Sequence, residues 1–232
     1  MVITIHMNSS KVILTGCDRN TEWMLPWFID NYVKHNSLPI CFANFGITEN
    51  TMDWLLTQPI VQNIINIKPD VTDGWFLKPK AMKECPYEYT CWIDTDCHIV
   101  GDISGIFNYV EPNKLAMVED LPWSKRRGQT WHNSGVVAFK DKPIILNDWV
   151  NNCKDGKKIG EVLGTGDPGD QDVLHYLLNT PIKRLTHIVD LPNKYNVTRV
   201  QHIDNTVPKE VLIYHWTGHK GKVKIQELIN AK

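Results

Sequence analysis

Hydrophobic positions along this chain come in short runs whose spacing alternates between strand and helix periods. "KVILTG" (11–16) is a β-branched run closing on glycine and predicts a first strand. "TEWMLPWFIDNYVKHN" (21–36) carries apolar residues at helical spacing, with Pro26 placed near a first turn. "PICFANF" (39–45) predicts a second strand, "TENTMDWLLTQ" (48–58) a helix capped by Thr48, and "IVQNIINI" (60–67) a third strand. "GWFLKPKAMKE" (74–84) reads as a helix interrupted near Pro79, and "YEYTCWID" (87–94) as a fourth, deeply buried strand. Such alternation predicts an α/β fold with a mostly parallel sheet flanked by helices. Ligands of such sheets collect beyond the carboxyl ends of the strands. Here those ends are Gly16–Asp18 and Asp94–Asp96.

The second half is less regular. "KLAMVE" (114–119), "SGVVAFK" (134–140) and "VLIYHW" (211–216) predict strands. "KPIILNDWVNN" (142–152), "DQDVLHYLLN" (170–179) and "KVKIQELINAK" (222–232) predict helices. Residues 119–133 and 153–169 read as long polar loops of the kind that form lids or binding surfaces. One domain over 1–232 is expected, in two halves that divide at about residue 100.

Composition narrows the function classes. With 232 residues, 42% hydrophobic, 22% charged and a net charge of −1, the chain can bury a sizeable core and lacks the basic excess of a nucleic-acid protein. No apolar run approaches membrane-span length, and "MVITIHMNSSK" is a poor signal peptide, so a cytoplasmic location is expected. The six cysteines form no C-x-x-C pair and read as reduced thiols rather than a disulfide framework or zinc site. N-x-S/T sequons at Asn8 and Asn196 carry little weight without a secretory route.

The sharpest feature is "WIDTDCH" (92–98), a buried run ending in two acids. In extended backbone, Asp94 and Asp96 project to one side and Thr95 to the other. Two carboxylates so close repel unless a cation or a proton separates them, and hard divalent cations favour such oxygen ligands. A solvated turn is the bland alternative, and the spacing alone does not choose between them.

Six stretches in register resemble glycosyltransferase family 8, of the GT-A fold. They are "VILTGCD" (12–18), "ANFGIT" (43–48), "YTCWIDTDCHIVGDISGIF" (89–107), "HNSGVVAF" (132–139), "GDQDVLHYLL" (169–178) and "YHWTGHKGK" (214–222). The resemblance implies a retaining transferase that uses a UDP-sugar and Mn²⁺, with Mg²⁺ as the other candidate ion, and with residues 1–100 as its nucleotide-binding half and 101–232 as its sugar- and acceptor-binding half. By the same resemblance Asp94, Asp96 and His215 bind the metal, and Thr95 and Gly218 lie against the donor. Thr15, Gly16, Cys17 and Asp18 form the nucleobase loop. A basic residue upstream of the metal strand touches the donor, with Lys80 preferred over Lys78. The closing motif departs from the family at Gly221, where a lysine is expected, so Lys220 and Lys222 share the phosphate role. Asp170 faces donor-sugar hydroxyls, Gln171 lies beneath the anomeric carbon, and Asn133 bonds sugar or acceptor. Asp172 joins Asp170 as a carboxylate available to a covalent or base-catalysed route. The bland readings are an N-cap for Asp170, a favourable first-turn acid for Asp172, a half-buried strand histidine for His215 and surface lysines for the rest.

The expected activity is transfer of a hexose, from UDP-glucose or UDP-galactose, to a hydroxyl of a glycan or other acceptor. An inverting GT-A transferase, a nucleotidyltransferase and a decayed nucleotide-sugar-binding protein are the alternatives. "TGCDRNTEW" makes an unconvincing phosphate loop for the nucleotidyltransferase. The loop "EDLPWSKRRGQTWH" (119–132) has two tryptophans and three consecutive basic residues, which suit either an acceptor wall or a solvated loop.

Overall fold

The computed structural model of the chain describes residues 10–68 and 74–231. The amino-terminal segment with the Asn8 sequon, and Lys232 at the end of the expected closing helix, lie outside the described residues.

The first half follows its hydrophobic pattern closely. β1 (Lys11–Cys17), α1 (Leu25–Val33), β2 (Ile40–Asn44), α2 (Glu49–Leu56), β3 (Val61–Asn66), α3 (Lys78–Glu84) and β4 (Tyr89–Ile93) occur in that order. Thr48 caps α2 by accepting from the Thr51 N–H at 3.3 Å. Gly74–Leu77 is a 3₁₀ turn rather than α-helix, and α3 starts at Lys78 with Pro79 in its first turn, where a missing N–H costs nothing.

After β4 the chain forms β5 (Cys97–Ile99), β6 (Leu115–Glu119), α4 (Leu121–Arg127), β7 (His132–Lys140), α5 (Ile144–Cys153) and α6 (Gly156–Leu163). It continues through α7 (Asp170–Leu177), α8 (Pro181–His187), β8 (Ile188–Asp190), β9 (Val197–Thr198), α9 (Arg199–Ile203), β10 (Ile213–His215) and α10 (Gly218–Asn230). The two expected loops are therefore partly helical. Asp120 caps α4 through the Trp123 N–H, and Gly128 ends the helix at φ +65°. In α6, Gly160 is a packing residue, because any Cβ there would overlap the Pro168 ring. At that position glycine marks close contact rather than a flexible loop, whereas Gly164 ends the helix at φ +65°.

Seven strands form one sheet in the order β3-β2-β1-β4-β7-β6-β8. Pairings are parallel except at β4–β7 and β7–β6. Both halves of the chain contribute to it. The central strands are buried on both faces: Ile13, Cys91, Ile93 and Val136 pack into one layer, Val12, Leu14, Trp92 and Val137 into the other. That explains their continuous apolar runs. The expected strand at 211–216 lies outside this sheet. As β10 it joins a three-stranded sheet, antiparallel to β5 and parallel to β9. All six cysteines are unpaired and buried. No helix among the described residues is long and apolar enough to cross a membrane.

The strand order reverses between β1 and β4. β2 and β3 extend to one side of β1, and β4 returns to its other side. A crevice forms where successive connections diverge in this way.

Candidate active site

Two cavities open along that crevice. One, of about 270 Å³, is lined by Gly16, Cys17 and Asp18 beyond β1 and by Asp94, Thr95 and Asp96 beyond β4. The other, of about 570 Å³, is lined by Asp120, Trp123, Asn133, Asp170, Gln171 and His215, among others. Trp75, Lys78, Asp94 and Asp96 line both, so the two acids stand where the cavities meet.

Local geometry explains the acids. β4 ends at Ile93, and residues 94–96 form a turn rather than extended backbone, closed by the Cys97 N–H donating to the Asp94 carbonyl at 3.0 Å. This turn, not strand alternation, brings both carboxylates to the cleft, and it also turns Thr95 toward the first cavity. Asp94 accepts from Trp92 Nε1 at 2.6 Å and from Lys78 Nζ at 3.1 Å.

His215 arrives from far along the chain because β10 pairs with β5, setting it opposite Cys97. Its Nε2 lies 3.1 Å from Asp96 Oδ1 and 3.7 Å from Asp94 Oδ2. Its Nδ1 faces amide oxygens, at 3.0 Å from Asn196 Oδ1 and 3.1 Å from Asn133 Oδ1. Burial works against the imidazolium, but Asp96 and Asp94 outweigh it and hold the ring above its ordinary value. Burial likewise opposes the Asp96 carboxylate, yet His215, then Lys78 and Lys222, keep it below the usual range. A proton on Nε2 therefore sits where a cation bound by both groups would sit. Gly135 makes room for the ring, since a side chain at that position would overlap it.

Two carboxylates and an imidazole with its second nitrogen already bonded form a donor set suited to Mn²⁺ or Mg²⁺. By distance alone Asp96, Cys97 and His215 cluster most tightly, within 4.8 Å of one another. Chemistry favours Asp94 over Cys97. Burial and the flanking acids push the Cys97 thiol well up, and a neutral thiol is a poor ligand for a hard cation.

The structure brings Lys78, not Lys80, to the cleft. Lys78 is 5% exposed, and its ammonium lies 3.3 Å from Asp170 Oδ2 as well as against Asp94 and donates to the Ser134 carbonyl at 3.2 Å. Burial opposes the charge, but the two acids hold it above its ordinary value. Lys80 points away and donates to the Lys68 carbonyl at 2.8 Å, because Pro79 and the first turn of α3 separate the two lysines in direction. Lys222 lines the first cavity, whereas Lys220 is exposed outside both. Gly221 between them packs on the Trp216 carbonyl too closely for any side chain, so a lysine does not fit there.

Asp170 is the first residue of α7, not its cap. Gly169 holds the cap position, and its N–H donates to Asp172 Oδ2 at 2.7 Å. Burial pushes the Asp170 carboxyl up to about 6 even beside Lys78. Burial also raises Asp172. Gln171 and Asn133 are tied together: Asn133 Nδ2 donates to Gln171 Oε1 at 3.1 Å and to Asp120 Oδ2 at 3.1 Å, and Gln171 Nε2 donates to Asp120 at 3.2 Å.

Among the nucleobase-loop residues, Cys17 and Asp18 line the first cavity with Gly16. Thr15 does not reach it, being 1% exposed within β1 and in register with Phe42. The Asp18 carboxylate caps its own turn, accepting from the Asn20 N–H at 3.0 Å and from the Thr21 hydroxyl at 2.9 Å. Gly218 lines the second cavity. Trp123 and Arg126 also line it, while Trp131 is buried and stacks on His175 at 3.5 Å. Of the two tryptophans in that loop, one thus faces the second cavity and the other packs inward. Sequence reasoning missed Asp120, Trp92 and Asn196. Asp120 was within reach, since an Asp two residues before Pro and eight before Gly is a helix-start signal.

No protein-family model matches the chain, and no curated protein matches it in sequence. Solved structures do match in shape. A galactosyltransferase, LgtC, in complex with donor and acceptor sugar analogs, is 13% identical at a TM-score of 0.63, covering 95% of each chain. The apo form of the glycosyltransferase GlyE of Streptococcus pneumoniae TIGR4 is 15% identical at 0.61, covering 96% of this chain and 64% of that one. Mouse xyloside xylosyltransferase 1 in its apo form is 11% identical at 0.56, covering 88% and 96%. The seven-stranded sheet and the crevice above it are those of the GT-A glycosyltransferase fold.

Proposed function

We propose that this chain transfers a hexose from a UDP-sugar to a hydroxyl acceptor, with Mn²⁺ as the preferred cation and retention at the anomeric carbon. One observation carries the reading: Asp94, Asp96 and His215 converge where the two cavities meet. These three residues would hold the ion, which supplies charge neutralisation to a diphosphate leaving group.

The chain's own residues divide the remaining work. The first cavity, walled by Phe45 and Trp92, suits a flat base, with Lys222 at its edge as a point charge toward phosphate. Lys78 neutralises Asp94 and Asp170 and keeps both carboxylates in place as charge develops nearby. In the second cavity Asp120, Asn133 and Gln171 form a hydrogen-bonded set able to meet sugar hydroxyls. The Gln171 amide oxygen already accepts from Asn133, and an amide is a weak nucleophile. Asp170 is ion-paired and Asp172 bonds the α7 cap. Neither Asp170 nor Asp172 is therefore free to attack or to act as a base, which favours departure and attack on the same face of the sugar.

A screen of UDP-sugars with Mn²⁺, reading UDP release, tests the proposal. One donor is expected to be hydrolysed or transferred, with Asp96→Ala reducing the rate roughly a hundredfold or more. Absence of any response to every nucleotide sugar, with or without metal, overturns it. The anomeric proton signal of the product then reports retention.

A further inference from the structure

We infer that Asn196 is a positioning residue that sets the orientation and tautomer of His215, so that Nε2 faces Asp96 and Asp94 with a lone pair for a divalent cation. The inference rests on the cation site proposed above. Two oxygens lie within reach of His215 Nδ1, and they are not equivalent. Asn133 Oδ1 already accepts from the Gly135 N–H at 2.9 Å and from Asn196 Nδ2 at 2.8 Å. A carbonyl oxygen has two lone pairs, and those donors use both. Asn196 Oδ1, at 3.0 Å from Nδ1, has no other donor among the described residues. The donation of Asn196 Nδ2 to Asn133 also fixes which way the amide faces. Nδ1–H therefore donates to Asn196, and Nε2 is the nitrogen left for a ligand role. Metal-binding histidines ordinarily fix their second nitrogen in this way, and loss of that partner weakens metal binding.

Asn196 is 1% exposed and belongs to an N-x-T sequon. With both ends of its amide engaged beneath β10, it is inaccessible to a glycan in the folded chain. The sequon is thus a by-product of the threonine that precedes α9 and of the asparagine that holds His215.

Titration of the full-length protein with Mn²⁺, reading the free-ion electron paramagnetic resonance signal, tests the inference without turnover. Asn196→Ala is expected to raise the Mn²⁺ dissociation constant about ten- to hundredfold. Asn196→Asp keeps an oxygen toward Nδ1 but loses the donor to Asn133, so it should melt lower than wild type while its dissociation constant stays within about threefold. That separation of affinity from stability is what a merely structural asparagine would not produce. Wild-type affinity in Asn196→Ala, or a loss in Asn196→Asp as large as in the alanine variant, overturns the inference. If Asn196→Ala fails to fold, Asn196→Leu, which keeps the volume but lacks the oxygen toward Nδ1, takes its place with the same expected loss of affinity, and wild-type affinity in it overturns the inference. A wild-type protein that binds no Mn²⁺ overturns the cation site itself, an outcome distinct from both.

Discussion

Lys78→Met removes the ammonium that pairs with both Asp94 and Asp170 while keeping most of the side-chain volume. The lysine is 5% exposed, so solvent cannot take its place, and Asp170 would be left buried and uncompensated. Removing one partner of a buried ion pair costs about 3–5 kcal/mol. At about 2–4 °C per kcal/mol for a chain of this size, the melting temperature should fall by about 6–20 °C at pH 8. The sign of the pH dependence follows from Asp170. Its carboxyl is already pushed up to about 6 with Lys78 present, and without that charge it rises further. The folded variant then binds a proton that the unfolded chain does not, so its stability recovers as pH falls below the raised value. Urea unfolding at pH 8 and pH 5.5 reads this directly, and the deficit should be clearly smaller at pH 5.5. Adding Asp170→Asn should restore at least about 1 kcal/mol at pH 8, because the two residues share one interaction. A deficit below about 1 kcal/mol at pH 8, or one that grows toward pH 5.5, would refute the reasoning.

Two further outcomes follow from named contacts. Gly135→Ala places a methyl group against the His215 ring, so Mn²⁺ affinity should fall at least about tenfold while overpacking costs about 1–3 kcal/mol; calorimetric titration and thermal melting check both. His175, stacked on Trp131 and bonded to Gln129 at 3.1 Å, is lowered by burial from 6.5 to about 4. The unfolded chain therefore takes up the extra proton first, and stability is lost as pH falls from about 6.5 toward 4. Between pH 7 and pH 4.5 wild type should lose about 2–3 kcal/mol more than His175→Gln in urea unfolding, and equal losses would contradict the assignment.

Much of the fold was legible because its central strands are buried on both faces, and burial writes itself into sequence as continuous apolar runs. Val12–Leu14 and Cys91–Ile93 are such runs, and the crevice beyond them followed from strand order. Where glycine serves contact rather than flexibility, as at Gly160, the same letter misleads, and α6 was taken for loop. Among site residues, Asp94 and Asp96 were legible because neighbours in sequence are neighbours in space. Lys78 and Lys80 were not separable, because two residues of rotation around one helical turn send one amine to Asp94 and the other to Lys68. The pattern along the chain determined the alternation of strands and helices and the placement of the two acids at the end of β4, though not the turn that aims them. Only the tertiary structure decided which distant groups complete that turn. The β5–β10 pairing carries His215 across to Cys97, and the Asn133–Asn196 amides then turn its ring. Contacts between residues so far apart in the chain leave no local period, so they exist only once the strands have paired.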